Sequence, residues 1–390
     1  MKKMGWLLFP LIIASNLPSQ RNDLFTGDGI PQGCTSFCLD NNGYAVFGAN
    51  YDYAKDRHDG LVFVNKRNVT KSFPLSDSLD KHVSWTSRYG SVSFNFVASQ
   101  TSWTGMNEAG LVIYSMRLEE GSRAPRPDRR PWISIHYWLQ YMLDNFSTVE
   151  EVMASDSALR IVSAGRIPHF LASDKYGHCA TIEFIDGKMV THSGKNLPVK
   201  ALANTSYDRS VSEWNKITLQ KKNGKPVPAM GSSSRGRFIR AADRATAFKP
   251  TDSQTAVNTA FDILEDVSVP NGHGIATCWS IVFDTKNLQI HFKTIARSEI
   301  RMIDLQKLDF SCQSPVKMVD INEKLSGDIT DQLKDYSFKL HYDHALRAAK
   351  KYGLEMGPEE LMKEIRSIEE FPCGNSPLSK TLLPSFVHGR

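Results

Sequence analysis

Hydrophobic and polar residues alternate in short runs along most of the chain, and this pattern predicts many short β-strands. Strands are predicted at 37–39, 44–49, 61–65, 91–98, 111–116, 170–173, 179–184, 188–192, 278–283 and 288–294. Asn42-Gly43 and Asp186-Gly187 are turn signals. We therefore expect the first two strands to form one antiparallel hairpin and those at 179–192 to form another.

Other segments carry apolar residues at three- and four-residue steps, which predicts helices. They lie at 132–143, 149–154, 235–248, 251–264, 330–351 and 358–368. Serines at 232–234 can cap the third helix, and Pro250 ends it. Antiparallel strands with helices between them indicate an α+β sandwich. We expect one catalytic domain at 34–390 with a helical C-terminal tail.

Composition and charge limit the classes of function that are expected for this chain. The chain has 390 residues, 41% of them hydrophobic, which is enough for a large core. Its net charge of +5 is scattered rather than clustered, so no nucleic-acid partner is expected. The six cysteines form no C-x-x-C pair and no zinc spacing, so neither a metal nor a cofactor is predicted. A bridge between Cys312 and Cys373 is a candidate without support from spacing.

The N-terminus has the pattern of an export signal. Lys2 and Lys3 precede an apolar run at 6–14 that is too short to span a bilayer. We expect a cleaved signal, a short propeptide that ends at Gly33, and a periplasmic or secreted protein with no remaining membrane span. The alternative is an uncleaved N-terminal anchor.

Cys34 carries the candidate chemistry. If cleavage makes it the first residue, a thiol nucleophile and a free α-amine that can act as its base share one residue. Their ordinary pKa values are about 8.5 and about 8. The predicted hairpin brings Asp52 back towards that amine. The alternatives are a Cys34–Cys38 disulfide or a small buried residue for Cys34, and a solvated turn residue for Asp52.

Several segments, in order over residues 34 to 300, resemble the choloylglycine hydrolase family, which includes conjugated bile acid hydrolases and penicillin V acylases. They are Cys34-Thr35, Gly-Ala-Asn-Tyr-Asp at 48–52, Gly-Met-Asn-Glu-Ala-Gly-Leu at 105–111, Leu-Asp-Asn-Phe-Ser-Thr-Val-Glu-Glu-Val at 143–152, Ala203-Asn204, Ser-Arg-Gly-Arg-Phe-Ile-Arg at 234–240 and Thr-Cys-Trp-Ser at 277–280. The export signal and the Leu-Asp-Asn-Phe stretch are similar to the Gram-negative branch.

The resemblance implies a four-layer αββα fold of the N-terminal-nucleophile hydrolase type. It implies that Cys34 is the nucleophile and, through its amine, the base, and that Asp52 binds that amine. Asn204 would donate a side-chain N–H to the oxyanion, and Arg237 would lie beside the thiol and favour its thiolate. Taken alone, Asn204 is equally an ordinary turn residue.

The chain departs from the family at Ala49, where bile acid hydrolases carry an arginine. Asn50 could fill part of that gap, or Arg237 could act alone. The second oxyanion-hole position falls by count at Arg117, to which no role is assigned. Both departures argue against bile-salt specificity.

The predicted activity is hydrolysis of linear amides in N-acylated small molecules, with self-processing, as in penicillin V acylases or bile salt hydrolases. An N-acyl homoserine lactone acylase is an alternative, and so is a secreted binding protein that has lost catalysis on the same fold. Trp85, Trp103 and Phe94 are candidates for an apolar acyl pocket, although they could equally fill the core. Assembly into a homo-oligomer is left open.

Overall fold

The computed structural model describes residues 33–72, 83–96, 101–163, 165–271, 274–352, 357–359, 361–362, 365 and 373. The strands are β1 Gly33–Asn41, β2 Tyr44–Ala54, β3 Leu61–Asn65, β4 Thr70–Ser72, β5 Ser84–Thr86, β6 Ser91–Asn95, β7 Ser102–Asn107, β8 Val112–Met116, β9 Trp132–Ser134, β10 Arg160–Val162, β11 His169–Ser173, β12 Cys179–Ile185, β13 Lys188–Ser193, β14 Ala201–Leu202, β15 Ile275–Asp284, β16 Gln289–Thr294, β17 Arg297–Asp304, β18 Lys317–Asp320, β19 Gly327–Asp328 and β20 Lys334–Asp335. The helices are α1 Ile135–Asn145, α2 Val149–Ala154, α3 Tyr207–Lys222, α4 Ser234–Thr246, α5 Ser253–Asp266 and α6 Phe338–Tyr352.

Two large sheets form the body of the protein. The first sheet has seven strands in the order β14-β1-β2-β15-β16-β17-β19, and the second has nine in the order β13-β12-β11-β8-β7-β6-β3-β18-β20. Both predicted hairpins are confirmed, because β1 pairs with β2 and β12 pairs with β13 in antiparallel register. β1 and β2 therefore lie inside the first sheet, where their positions are restrained on both sides.

Helices cover the outer face of each sheet. α4 packs on β1 and α5 packs on β2 and β15, whereas α1 packs on β7 and β8 and α2 packs on β12. The sheets face each other through apolar side chains, for example Phe94 with its ring centroid 6.3 Å from that of Phe283 and 5.4 Å from that of Phe292. This is the predicted α+β sandwich with four αββα layers.

Two disulfides join distant parts of the chain. Cys38 on β1 is bonded to Cys179 on β12, which links the two sheets. Cys312 is bonded to Cys373, so that predicted bridge is confirmed. Cys34 is a free thiol, and the Cys34–Cys38 alternative was wrong.

Helix boundaries differ from the prediction in two places. Trp132–Ser134 is not helical but pairs in parallel with β10, and the Ser134 side chain then caps α1. The predicted helix at 330–351 begins only at Phe338. Thr330–Gln332 is a short 3-10 turn, and the pairing of Lys334–Asp335 with β18 holds those two residues extended. Of the predicted helix at 358–368, the described residues 358–359, 361–362 and 365 are helical.

α3 was not predicted. Its sixteen residues bury only Tyr207, Ser210 and Ile217, so its apolar periodicity is too weak to identify a helix from the sequence. The predicted signal and propeptide fall almost wholly outside the described residues. Across the part of the chain that is described, none of the helices combines the length and the apolar character that a membrane crossing requires.

Candidate active site

The hairpin of β1 and β2 places Asp52 beside the residues around Cys34. Gly33 lies opposite Asp52, and Cys34 lies opposite Tyr51. Side chains of directly paired residues project from the same face of a sheet, and neighbours along a strand project from opposite faces. The register therefore decides which side chains share a face with the Cys34 sulfur.

The sulfur lies on the face between the two sheets. The same face of β1 carries Ser36, whose hydroxyl contacts the Met116 sulfur of β8 in the second sheet at 3.6 Å. Thr35 lies on the opposite face, where its hydroxyl accepts a hydrogen bond from Arg237 Nε of α4 at 3.0 Å. Asp52, paired with Gly33, belongs to this helix-side face as well.

Asn204 and Arg237 meet at the backbone of Cys34. The Cys34 amide N–H donates to Asn204 Oδ1 at 2.9 Å. Arg237 Nη2 donates to the same oxygen at 2.5 Å and to the Cys34 carbonyl at 3.2 Å. Asn204 Nδ2 donates to the Arg117 carbonyl at 3.0 Å, so Arg117 enters the site through its backbone. Arg237 thus binds the main chain of the nucleophile rather than its sulfur.

Asp52 is buried beside these groups. Its Oδ1 accepts from the Thr277 hydroxyl at 2.6 Å, and its Oδ2 lies 3.7 Å from Arg237 Nε. No described residue donates a hydrogen bond to that Oδ2. Burial raises the pKa of Asp52 to about 6, against the lowering effects of Arg237 and Thr277.

The thiol itself is held in its neutral form while the chain is uncut. Burial, followed by the charge of Asp52, raises the pKa of Cys34 to about 12. Three weaker effects lower the pKa: the Asp52 backbone N–H, the Tyr114 hydroxyl and, last, the Arg237 charge. Cys34 has no solvent exposure. A protonated, enclosed thiol is a poor nucleophile.

Asn50 does not fill the gap that Ala49 leaves. Asn50 Nδ2 donates to the Leu264 carbonyl of α5 at 2.7 Å, and its Oδ1 accepts from Ser280 at 2.7 Å. Its side chain therefore lies on the helix side of the sheet, whereas Ala49 shares the sulfur's face. That alternative was wrong because neighbouring residues of a strand point in opposite directions.

Only one of the three predicted acyl-pocket residues lies close to the nucleophile. Trp103 has its ring centroid 6.5 Å from that of Tyr51, the residue opposite Cys34. Trp85 instead donates its indole N–H to Asp144 at 2.7 Å, in a buried group that also holds Lys71. Phe94 packs among core phenylalanines between the sheets.

Sequence reasoning missed the other aromatic residues here. We define the aromatic cluster as Tyr51, Tyr53, Phe96, Trp103 and Trp279; the Tyr51 ring centroid lies 4.7 Å from those of both Phe96 and Trp279. Tyr114 of β8 was also missed, although its hydroxyl donates to the Asn50 carbonyl at 2.8 Å and lowers the pKa of the Cys34 thiol. A tyrosine in the largely apolar strand Val112–Met116 was the available signal, since a buried hydroxyl needs a partner.

Two other features lie outside this centre. A polar pocket of about 240 Å³ reaches Thr205 and Ser234, whose hydroxyl groups contact each other next to Asn204. Among the described residues, one cluster could ligate a metal: Glu150, Asp174 and His178, with ligand atoms within 4.8 Å of one another. It is built around α2 and the β11–β12 turn, away from Cys34.

A comparison against known families identifies one that matches most of the chain. The model for linear amide C–N hydrolases of the choloylglycine hydrolase family matches residues 34–318, beginning at Cys34. The chain belongs to the choloylglycine hydrolase family. It is accordingly a linear amide C–N hydrolase.

Penicillin V acylases are among the similar proteins of this family. One from Pectobacterium atrosepticum is 29% identical over 331 residues, covering 74% of this chain and 85% of its own. The structure of penicillin V acylase from Agrobacterium tumefaciens is 30% identical, covering 78% of this chain and 98% of its own, with a TM-score of 0.67. A conjugated bile acid hydrolase variant from Clostridium perfringens, 20% identical, shares the fold with a TM-score of 0.63, covering 75% of this chain and 98% of its own.

Proposed function

We propose that Cys34 is the N-terminal nucleophile of this choloylglycine hydrolase and that it hydrolyses N-acylated small molecules. The observation that carries the proposal is the surroundings of the Cys34 nitrogen. Asn204 Oδ1 already accepts its N–H, and Asp52 Oδ2 lies opposite Gly33 with no donor among the described residues. A free ammonium at this nitrogen has additional N–H groups for that carboxylate.

Removal of residues 1–33 activates the thiol in this scheme. In the uncut chain the nitrogen is an amide that cannot accept a proton, and the thiol pKa is about 12. Cleavage creates an amine on Cys34, one residue along β1 from the position that pairs with Asp52. The positive charge of this amine lowers the pKa of both the Cys34 thiol and the Asp52 carboxyl. We propose that the same sulfur makes this cut. It forms a C–S bond to the Gly33 carbonyl carbon as the Gly33–Cys34 C–N bond breaks, the thiol proton passes to the released amine, and water then hydrolyses the thioester to free the thiol and the leader.

The catalytic cycle then needs only these residues. The amine takes the thiol proton, and the thiolate forms a C–S bond to the substrate carbonyl while the C=O electron pair moves to oxygen. Asn204 Nδ2 has a second hydrogen for this oxyanion, which contributes on the order of 3 kcal/mol. The ammonium protonates the departing amine as the C–N bond breaks. Water then hydrolyses the thioester and restores the thiol.

The substrate class we propose is an N-acyl amine with an apolar or aromatic acyl group, such as a phenoxyacetyl penicillin. Two of the similar proteins are penicillin V acylases, and the aromatic cluster lies next to Cys34. An N-acyl homoserine lactone has the same amide and is the second candidate. Conjugated bile acids are disfavoured, since Ala49 adds no cation on the sulfur's face.

We propose export to the periplasm or beyond. The Cys38–Cys179 and Cys312–Cys373 bridges support an oxidising compartment. The charged and apolar pattern at residues 2–14 supports a cleaved signal.

The test compares two buried free cysteines, Cys34 and Cys278. Cys34→Ala is expected to abolish hydrolysis of phenoxyacetyl amides and to leave the leader attached, as measured by product release and N-terminal sequencing. Cys278→Ala is the matched control and should mature and react normally. Undiminished turnover by Cys34→Ala, or a mature chain whose first residue is not Cys34, would refute the proposal. A correctly cut wild type without turnover on any N-acyl amine would favour the decayed binding protein.

A further inference from the structure

The described residues of β1 and β2 that share a face with the Cys34 sulfur carry no charge that could stabilise a thiolate. The neighbouring residues of β2 on that face are Ala49, Tyr51 and Tyr53. Arg237 approaches from the other face and is already bound to Thr35 and to the backbone. Among the described residues, no cationic side chain forms a hydrogen bond or ion pair with this sulfur. A thiolate here depends on neutral donors, of which the Asp52 backbone N–H is one.

Tyr114 supplies such a donor from the second sheet. Its hydroxyl donates to the Asn50 carbonyl at 2.8 Å. Asn50 adjoins Tyr51, the residue paired with Cys34, so the hydroxyl lies close to the nucleophile and affects the pKa of the Cys34 thiol. The side chain is only 1% exposed, so water does not compete for the hydroxyl. The phenol is thus held between the backbone of β2 and the nucleophile.

We propose that Tyr114 is a further catalytic residue, whose hydroxyl turns from the Asn50 carbonyl to donate a hydrogen bond to the Cys34 thiolate. The inference rests on the proposed role of Cys34. While sulfur carries its proton, the S–H group donates to the phenol oxygen and the phenol donates to Asn50. Once the α-amine has taken that proton, the phenol O–H donates to the negative sulfur. As the C–S bond forms, the charge leaves sulfur and the hydroxyl returns to Asn50.

The phenol remains a donor throughout this cycle. Burial, followed by the nearby Cys34 and Asp52, raises the pKa of Tyr114 well above its usual value, so the phenol keeps its proton at neutral pH. A hydrogen bond to an ionised acceptor is about twice as strong as one to a neutral acceptor. The hydroxyl therefore stabilises the thiolate more than the thiol.

The experiment compares Tyr114→Phe with Tyr44→Phe. Tyr44, at the start of β2, donates its hydroxyl to the Thr251 carbonyl at 3.2 Å, so Tyr44→Phe also removes one hydroxyl that serves a backbone carbonyl, but at a distance from the sulfur. Both variants are assayed on the fraction whose first residue is Cys34. The measurements are the pH dependence of Cys34 alkylation by iodoacetamide, and kcat and KM for a phenoxyacetyl amide.

For Tyr114→Phe we expect the alkylation midpoint to rise by about one pH unit and kcat to fall about tenfold with little change in KM. Tyr44→Phe should change neither. An unchanged midpoint, even with reduced kcat, would overturn the proposal, because a purely structural tyrosine would not alter the thiol pKa. If Tyr114→Phe does not fold, 3-fluorotyrosine placed at position 114 replaces it. As a stronger donor, it should lower the midpoint, and no lowering would overturn the inference.

The result for Tyr114→Phe can be distinguished from the result that tests the proposed function, Cys34→Ala. Full activity of Cys34→Ala would remove the nucleophile from the scheme whatever Tyr114 does. Loss of activity in Cys34→Ala together with an unchanged midpoint in Tyr114→Phe would remove only Tyr114.

Discussion

Gly33 is packed against the two charged groups that flank the bond we expect to be cut. A Cβ at this position would lie 3.3 Å from Asp52 Oδ2 and 3.4 Å from Arg237 Nη1 and Nη2. A methyl group there would push the carboxylate and the guanidinium apart. The requirement for glycine is therefore one of space between charges rather than of backbone conformation.

Gly33→Ala is expected to slow removal of the leader about tenfold, since crowding of this kind typically costs about 1–3 kcal/mol. The measurement is the fraction of chains that begin at Cys34 as a function of time, by mass spectrometry. Gly231→Ala is the control, because a Cβ at Gly231 meets no atom within 4 Å. Equal rates of processing for the two variants would contradict the packing argument.

The sequence did not reveal which side chains of the motif share a face of the sheet with the Cys34 sulfur. Ala49, Asn50 and Tyr51 were all recognised as part of one motif, yet only Ala49 and Tyr51 face the sulfur. The Asn42-Gly43 turn specifies which residues of the hairpin pair, but both strands are buried on both faces, so the sequence does not show which face meets the second sheet and which meets the helices. The same reason hid Tyr114, which approaches from a different sheet.

At the scale of elements, some of the family's motif residues hold structure rather than chemistry. Asn107 Oδ1 accepts from the backbone N–H groups of Ala109 and Leu111, and its Nδ2 donates to the carbonyls of Leu143 and Phe146. It thereby joins the β7–β8 turn to the end of α1. Gly110 in that turn has a φ of +87°, a conformation that other residues rarely adopt.

The Cys38–Cys179 bridge belongs to this scale because it ties the nucleophile strand to the second sheet across 141 residues. Replacing both cysteines by alanine is expected to lower the free energy of unfolding by about 3 kcal/mol or more, measured in urea. The Cys312–Cys373 bridge closes a loop of 61 residues and should contribute about 0.7 kcal/mol less in the loop-entropy account. A larger loss from the shorter loop would contradict that account.

On the scale of the whole molecule, the C-terminal segment is connected to the site. α6 lies beyond the residues matched by the family, 34–318. His344 of α6 makes a hydrogen bond from Nε2 to the Phe96 carbonyl at 2.8 Å. Phe96 belongs to the aromatic cluster and also packs on the small core formed by α6. The tail therefore supports one wall beside the nucleophile.

His344 also makes the fold sensitive to acid. Burial lowers its pKa, against the raising effects of the Phe96 carbonyl, Asp320 and Asp59, while Arg347 lowers it slightly further. Since the unfolded chain binds a proton near pH 6.5 and the folded chain does so only at lower pH, stability is complete above about pH 6.5 and is lost below it.

His344→Gln keeps a donor for Phe96 but does not titrate. Between pH 7.5 and 5.5 the wild type should lose up to about 1.4 kcal/mol more stability than this variant. Urea unfolding at the two pH values measures the difference. An identical acid loss in both proteins would show that another group is responsible.

The sequence by itself determined the two hairpins, ten of the twenty strands in the part of the chain that the structure describes, most of the helices there and the identity of the candidate nucleophile. These follow from local signals: alternation, turn residues, caps, and motifs that keep their order along the chain. Only the tertiary structure decided which groups surround that nucleophile. Asn204 and Arg237 reach Cys34 across 170 and 203 residues, and Tyr114 approaches it from the opposite sheet. Such contacts depend on strand register and on the packing of two sheets, for which no local pattern exists.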